Sequence, residues 1–279
     1  MVVVLALASA LAYGLSDFAG GLLSKKASPW AVAVVAQATA MVLTFLVAIG
    51  WWRDPTATDW AWGAVSGIGG GAGAAFLYRG LGAGSMSVVA PVSAVGAALL
   101  PAAVAAATGE RPSALTWVGV GCALPAIWLV SWVSDGPDVP RRARAAELTD
   151  GLLAGLGFGL LFTALGQVPE SAGLGPLGMS YGVAVLVTLV LAVLVGAEWV
   201  PRDRVLVRAP VIGVLGTAAT AFFLLATQAG LLTVAAVLSS LYPASTVLLA
   251  AVVLHERIGR AQGVGLALAL LAVTLVAAG

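Results

Sequence analysis

An internal duplication constrains the fold of this 279-residue chain more than any other feature of its sequence. The segment that begins at Phe76 recurs loosely, but without a gap, after a shift of 146 positions. Each copy consists of a long apolar run, a charged turn and a second apolar run, which predicts a hairpin of two membrane-spanning helices. The identical pairs include Ser93 with Ser239, Glu110 with Glu256 and Gly119 with Gly265.

The composition indicates an integral membrane protein. Hydrophobic residues make up 61% of the chain and charged residues 9%, against about 45–50% and about 25% in soluble domains. The net charge of +1 gives no reason to expect a nucleic-acid partner. Cys122 is the only cysteine, so an intrachain disulfide is impossible.

The apolar runs are close to the length of about 20 residues that a helix needs to cross a bilayer. Because these runs lack the alternation of barrel strands, the sequence predicts an all-α membrane protein with ten transmembrane helices. The predicted spans are Val2–Leu23, Trp30–Trp51, Trp60–Tyr78, Met86–Ala107, Leu115–Trp132, Leu148–Val168, Pro176–Ala197, Pro210–Ala229, Thr233–Leu254 and Gln262–Ala278.

A hydrophilic stretch divides the predicted helices into five and five. We predict an N-terminal repeat at 1–133, a hydrophilic linker at 134–147 and a C-terminal repeat at 148–279. The first helices of both halves also match, because Tyr13–Asp17 aligns with Phe158–Phe162. Since five is odd, the second copy enters the membrane from the opposite side, which predicts two inverted repeats around a central cavity.

Small residues and prolines recur inside the predicted helices. Glycines at four-residue spacing predict close helix packing, with a softened third helix as the alternative. Proline removes a backbone hydrogen bond and favours a kink. The glycine stripes are Gly63, Gly67 and Gly71 on the third helix and Gly151, Gly155 and Gly159 on the sixth, and the prolines are Pro91, Pro101, Pro125 and Pro243.

The third to fifth predicted helices carry a family resemblance. Its residues are Tyr78 near a helix end, Pro91 in the fourth helix, Gly109-Glu110-Arg111-Pro112, the Trp117-x-Gly119 helix, and a second copy at Val237–Gly265 with His255-Glu256-Arg257. This pattern resembles the EamA-type transporters of the drug/metabolite transporter superfamily. The resemblance implies a ten-helix bundle around a central cavity and export of small metabolites, amino acids or drugs. His255 stands where the first copy has Gly109, which we expect to alter only a turn.

Polar and aromatic side chains within the spans are the candidate binding residues. A polar group at membrane depth faces the bundle interior or a water-filled cavity, and the alternative for each one is an interhelical hydrogen bond. Dispersed hydroxyls, amides and tyrosines suit a small amphipathic molecule. The candidate substrate-binding residues are Tyr13, Asp17, Gln37, Tyr78, Ser93, Thr163, Tyr181, Gln228, Ser239 and Tyr242.

Asp17 is the one acidic residue placed inside a predicted span rather than at its edge. Its counterpart in the second half is Phe162, so the repeated scaffold does not require an acid at this position. We expect Asp17 to bind a cationic group or to exchange a proton, with Tyr13 on the same helix face. The alternative is a structural carboxylate that is hydrogen-bonded to neighbouring helices or paired with Arg79.

These features favour a secondary-active transporter over an enzyme. The chain has one histidine and no Gly-x-x-x-x-Gly-Lys-Ser/Thr loop, so we predict no catalytic residues, no metal site and no cofactor. The predicted function is export of small amphipathic metabolites, such as amino acids, amines or drug-like cations, by alternating access through rocking of the two halves. A channel or facilitator and an integral membrane enzyme stay open as alternatives.

The basic residues predict the orientation in the membrane. Eleven of the 13 lysines and arginines follow odd-numbered predicted helices, and only Arg53 and Arg111 lie on the other side. By the positive-inside rule, the loops with eleven are cytoplasmic and both termini are outside. We expect a multi-pass protein of the cell membrane whose partners are the lipid bilayer and a small-molecule substrate, with proton coupling and a monomeric state compatible with the sequence.

Overall fold

The computed structural model describes residues 1–50, 53–83, 86–130, 141–253 and 258–279, and within these ranges the chain is helical, with no β-strand. The predicted turn at 255–257 and the first part of the predicted linker, up to residue 140, lie outside the described residues. The helices are α1 Val2–Ser24, α2 Pro29–Gly50, α3 Ala57–Ala83, α4 Met86–Thr108, α5 Ala114–Val130, α6 Arg141–Leu165, α7 Gly175–Leu194, α8 Ala209–Gln228, α9 Leu232–Ser239, α10 Tyr242–Val253 and α11 Arg260–Ala278.

The helices follow the predicted spans and make the chain a multi-pass membrane protein. Six described stretches are long and apolar enough by themselves to cross a membrane, and three further apolar helical stretches are shorter. The helix α3 has 27 residues and is rich in glycine, which makes it less apolar than its neighbours. The number of ten transmembrane helices and their inverted arrangement stay predictions. The six long stretches are Val2–Ser24, Pro29–Gly50, Ala145–Leu165, Gly175–Leu194, Arg204–Gln228 and Arg260–Ala278.

The ninth predicted span is interrupted in its middle. The helix α9 ends at Ser239 and α10 begins at Tyr242. Pro243 has no backbone N–H and cannot continue the hydrogen-bond ladder, and the backbone N–H of Ala244 donates to the carbonyl of Leu241 at 2.9 Å as the new helix starts. The helix α5, by contrast, continues through Pro125.

Glycines bring the backbones of α3, α6 and α7 into contact. A Cβ atom added at Gly67 would lie 2.3 Å from the carbonyl oxygen of Ser180 on α7, and one added at Gly69 would lie 2.4 Å from that of Gly157 on α6. The two glycine stripes predicted from the sequence therefore pack against neighbouring helices. Gly63, Gly67 and Gly71 approach α7, while Gly151, Gly155 and Gly159 approach α4.

The two sequence halves pack across one another. Among the described residues, the most extensive helix contacts join a helix of the first half to one of the second, as in α3 with α6, α5 with α11, and α1 with α8. The duplicated glycines show the same exchange, because Gly119 of α5 packs on Val276 of α11 and Gly265 of α11 packs on Val130 of α5. Equivalent residues thus make reciprocal contacts between the halves.

Candidate functional site: a central cavity

A cavity of about 80 Å³ lies between helices of both halves. Seven helices line it, namely α1, α2, α3, α6, α7, α8 and α10. The lining residues are Tyr13, Ser16, Asp17, Ala36, Gln37, Ala40, Gly70, Ala74, Tyr78, Phe158, Leu161, Phe162, Ser180, Tyr181, Ala184, Ile212, Gly213, Gly216, Thr220 and Tyr242.

Most of the lining positions form pairs between the two halves. The three lining residues of α1 correspond to the three of α6, at a separation of 145 positions, and those of α2 correspond to those of α7 at 144 positions. The same helix faces of both repeats therefore enclose the cavity. The pairs are Tyr13 with Phe158, Ser16 with Leu161, Asp17 with Phe162, Ala36 with Ser180, Gln37 with Tyr181, Ala40 with Ala184, and, at 146 positions, Gly70 with Gly216 and Ala74 with Thr220.

The paired positions differ in chemistry. Among the described residues that line the cavity, Asp17 is the one charged residue, and its partner position holds Phe162. Among the described residues, Asp17 has no hydrogen-bond partner and no counter-charge. A carboxylate at membrane depth is costly and is normally paired. Asp17 is therefore a candidate functional residue of this cavity.

All four tyrosines of the chain line this cavity, and two of them form hydrogen bonds with the same side chain, that of Thr220. The hydroxyl of Tyr13 lies 2.7 Å from Oγ1 of Thr220. The hydroxyl of Tyr181 donates to the same atom at 2.9 Å and also lies 2.9 Å from the carbonyl oxygen of Gly216. Thr220 therefore fixes rings from α1 and α7 against α8.

The other two tyrosines are positioned by residues behind the cavity wall. The hydroxyl of Tyr242 lies 2.7 Å from Oγ of Ser93, which is fully buried in α4. The ring of Tyr78 packs on Gly20, where a Cβ atom would lie 2.6 Å from the ring. Glycine at position 20 thus allows the aromatic ring of α3 to lie against α1.

Gln37 brings an unsatisfied amide to the same site. Gln37 is 7% exposed, and one end of its amide lies 2.9 Å from Oγ1 of Thr188, whose hydroxyl also lies 3.2 Å from the carbonyl oxygen of Gly71. The other end of the amide is buried and has no hydrogen-bond partner among the described residues. Buried polar groups are nearly always paired in native proteins, so this end of the amide is a candidate partner for a ligand.

The structure brings six of the ten predicted binding residues together at the cavity and leaves four outside its lining. The six are Tyr13, Asp17, Gln37, Tyr78, Tyr181 and Tyr242. Of the other four, Ser93 supports Tyr242 from behind, Ser239 donates to the carbonyl of Ala6 at 3.4 Å, Thr163 donates to the carbonyl of Gly159 at 2.7 Å, and Gln228 donates to the carbonyl of Val168 at 3.5 Å.

Several lining residues carry no signal on their own. Phe158, Phe162 and Leu161 are ordinary apolar residues of a membrane helix, and Ser16, Ser180 and Thr220 are single hydroxyls. The duplication supplies the missing signal, because the aligned segments Tyr13–Asp17 and Phe158–Phe162 face the same space. Applying the shifts of 145 and 144 positions to Tyr13, Asp17 and Gln37 gives Phe158, Phe162 and Tyr181 of the second half of the lining.

One alternative for Asp17 is wrong. Arg79 does not pair with Asp17 but with Asp150 on α6, to whose Oδ1 its Nε donates at 3.0 Å. Arg79 lies within α3, which extends to Ala83, rather than in the loop after that helix. The guanidinium is therefore committed to the packed pair of α3 and α6, and Asp17 at the cavity has no basic partner among the described residues.

Comparison with known proteins agrees with this architecture. The model of the EamA-like transporter family matches residues 1–132 and 148–278. No curated protein sequence matches the chain. A solved structure described as "Crystal structure of protein" superposes with a TM-score of 0.70 over 94% of each chain at 17% sequence identity, which shows similarity of fold alone. Since the family model matches both of the halves that enclose the cavity, the chain belongs to the EamA-like transporter family of the drug/metabolite transporter superfamily, a family of membrane transporters.

Proposed function

We propose that this membrane transporter is a secondary-active exporter that carries small amphipathic molecules through the central cavity by alternating access. The proposal rests on one observation: Asp17, a carboxyl group with no partner in the described part of the chain, lies in a cavity enclosed by equivalent helix faces of both repeats. Secondary transporters built from repeats bind their cargo near the membrane midplane at the interface of those repeats. The cell membrane is the proposed location.

The interrupted helix beside the cavity supports alternating access. Tyr242, at the start of α10, lines the cavity directly after the break that follows Ser239. Discontinuous helices next to a central site are typical of secondary transporters. In such an arrangement, the two short helices can tilt independently and open one side of the site at a time.

Asp17 gives the proposed transporter a means of energy coupling. Because the carboxylate has no partner among the described residues, either a proton or a cationic cargo can neutralise it. If only one of the two occupies the site at a time, a proton that enters from outside displaces the cargo, which is released on the external side. The resulting exchange would export cargo at the expense of a proton gradient.

The test is a reconstituted assay with the full-length protein. A ligand-stabilisation screen of amino acids, amines and lipophilic cations identifies a cargo, and proteoliposomes with a trapped pH dye then report proton movement during transport. We expect saturable transport with opposite proton flow, and we expect Asp17→Asn to abolish both while the protein stays folded. Asp203→Asn is the matched control, because Asp203 is exposed and lies outside the cavity.

Each other outcome contradicts part of the proposal. Full transport with unchanged pH dependence in Asp17→Asn would exclude Asp17 as the coupling or cargo-binding group. Flux that rises linearly with concentration would favour a channel or facilitator. Conversion of the test compound without translocation would favour an integral membrane enzyme.

A further inference from the structure

We infer that the cavity is selective for a small organic cation that also carries an uncharged hydroxyl group, an inference that deepens the proposed function and rests on it. In this arrangement Asp17 receives the positive charge and the unpaired end of the Gln37 amide forms a hydrogen bond with the hydroxyl group. Both residues line the same cavity from adjacent helices, α1 and α2.

The charge of the lining selects for a cation. In the described part of the chain, Asp17 is the only charged residue of the lining, which there includes no lysine, arginine or histidine. An anionic group would enter without a counter-charge, and burying an uncompensated charge is strongly unfavourable. A zwitterion brings one group that Asp17 satisfies and another that no lining side chain neutralises. The cavity therefore disfavours free amino acids and carboxylic acids.

The aromatic rings of the lining strengthen this preference. The four tyrosines and two phenylalanines of the cavity present π-faces, which attract cations such as ammonium groups. The ring centroids of Tyr13 and Phe162 are 5.7 Å apart, and those of Tyr13 and Tyr242 are 6.2 Å apart. Rings from α1, α6 and α10 thus lie next to one another in the lining that also contains Asp17.

Gln37 adds a requirement for a polar group on the cation. Thr188 bonds to one end of its amide, while the other end has no partner in the described part of the chain. A cation with a hydroxyl group can donate to that end or accept from it, whereas a simple alkyl cation leaves it unsatisfied. The position paired with Gln37 in the second half is Tyr181, so this feature also belongs to one half alone.

The size of the cavity restricts the cargo further. A water-sized group needs about 10–15 Å³ of such space, so the cavity has room for about five to eight of them. A trimethylammonium or primary ammonium group with a short polar chain is of this size. Large lipophilic cations are not.

A series of four compounds of nearly equal size separates the effect of the positive charge on binding from the effect of the hydroxyl group. Choline has both features, propyltrimethylammonium lacks the hydroxyl, 3,3-dimethylbutan-1-ol lacks the charge, and glycine betaine adds a carboxylate. Calorimetric binding to the purified wild-type protein should rank choline first. We expect about 10-fold or greater weakening for the neutral alcohol and about 3- to 10-fold for propyltrimethylammonium, since a hydrogen bond contributes a factor of this order.

Variants assign each preference to its residue. In Gln37→Leu the advantage of choline over propyltrimethylammonium should disappear, while the advantage over the neutral alcohol persists. In Asp17→Asn the preference for the cation should disappear. Gln167→Leu is the matched control, because Gln167 is exposed and does not line the cavity, and it should leave both ratios unchanged.

The wild-type series tests the charge requirement without any variant. Equal or tighter binding of glycine betaine or of the neutral alcohol would overturn the inference, as would an unchanged hydroxyl preference in Gln37→Leu. The proposed function is tested separately, by counterflow of labelled choline in proteoliposomes. Ordered binding without counterflow would refute transport and leave the site assignment intact, whereas counterflow of glycine betaine in preference to choline would refute the assignment alone.

Discussion

Glu110 joins the two halves at one end of the molecule. Its Oε1 accepts a hydrogen bond of 2.6 Å from the backbone N–H of Leu232, and its Oε2 accepts bonds from the N–H and the hydroxyl of Thr233 at 3.1 and 2.7 Å. These groups are at the start of α9, where backbone N–H groups have no partner within the helix. The carboxylate satisfies them and is favoured there by the helix dipole.

We predict that Glu110→Gln lowers the free energy of unfolding by about 1–3 kcal/mol, the usual contribution of a hydrogen-bonded charged group. The amide keeps the size of the side chain, but it turns a donor toward N–H groups that need an acceptor. Steric-trapping measurements in bicelles give the unfolding free energy. Glu198→Gln, at an exposed glutamate, is the control, and equal losses in both variants would show that the contact with α9 contributes nothing.

Sequence reasoning about single residues explains Asp17 better than Glu110. Asp17 stands out because an acid within an apolar run needs a reason, and the structure places it at the cavity. Glu110 and Arg111 indicate a local pair at a helix end. Instead, Glu110 reaches a residue 122 positions away, and Nη1 of Arg111 donates to the carbonyl of Ala106 at 3.4 Å. Such a long-range partner leaves no mark in local sequence.

At the scale of the elements, apolar runs locate helices but not all of their ends. The predicted spans Val2–Leu23 and Gln262–Ala278 differ from α1 and α11 by one or two residues. The helix α6 begins at Arg141, seven residues before the predicted Leu148, because Arg, Ala and Glu favour helix as strongly as apolar residues do. Hydropathy indicates where a helix meets lipid, and charged residues can extend it into water.

The faces of the helices were harder to predict than their positions. Thr163 and Gln228 are polar residues within helices, yet both bond to backbone carbonyls away from the cavity. A helix of apolar residues has no strong polar side, so its sequence alone does not orient it. The paired lining positions of the two halves provide that orientation, since a face that lines the cavity in one repeat lines it in the other.

We predict that Gly69→Ala destabilises the protein by several kcal/mol or separates α3 from α6. The added methyl group would lie 2.4 Å from the carbonyl oxygen of Gly157 and 2.6 Å from the backbone nitrogen of Leu161, and neither backbone atom can move freely. Overpacking in a tight interface costs about 1–3 kcal/mol or more. Thermal unfolding in detergent, followed by near-ultraviolet circular dichroism, measures the change.

The matched control for this prediction is Gly121→Ala in α5. A Cβ atom at Gly121 meets nothing within 4 Å, so the substitution should be neutral or should stabilise the helix by up to about 1 kcal/mol. If Gly69→Ala behaved like Gly121→Ala, then the glycines of α3 would serve flexibility rather than close packing. Retained stability with a loss of transport would favour the same conclusion.

At the scale of the whole molecule, the packing bears on how the cavity can open. Because α3 packs on α6 and α7, and α1 on α8, the helices of one sequence half are embedded among those of the other. Rocking of the two sequence halves as separate bodies would break these contacts. Gly67 and Gly69 bring α3 into close contact with α7 and α6, so we expect movement during transport between mixed groups of helices rather than between the two sequence halves.

The structure also groups the ends of the helices into two sets. The C-terminal Gly279 lies beside Ser113 at the start of α5, and Glu110 contacts the start of α9. These helix ends form the first set. The hydroxyl of Ser28, before α2, donates to the carbonyl of Glu198, and these two positions belong to the second set. The first set holds few basic residues, and the positive-inside rule predicts that it is external.

We predict that cysteines at Ala114 and Gly259 react with an impermeant maleimide from opposite sides of the membrane, Ala114→Cys from outside and Gly259→Cys from the cytoplasm. Both positions are exposed, Gly259 has a φ of −70° that any residue adopts, and Cys122→Ala removes the native thiol. Labelling of intact cells before and after permeabilisation gives the sidedness, with the cysteine-free variant as background. Labelling of both sites from one side would refute the inverted repeat. Reversed sidedness would agree with the repeat but refute the predicted orientation, because the 11 basic residues on the side of Gly259 would then lie outside, against the positive-inside rule.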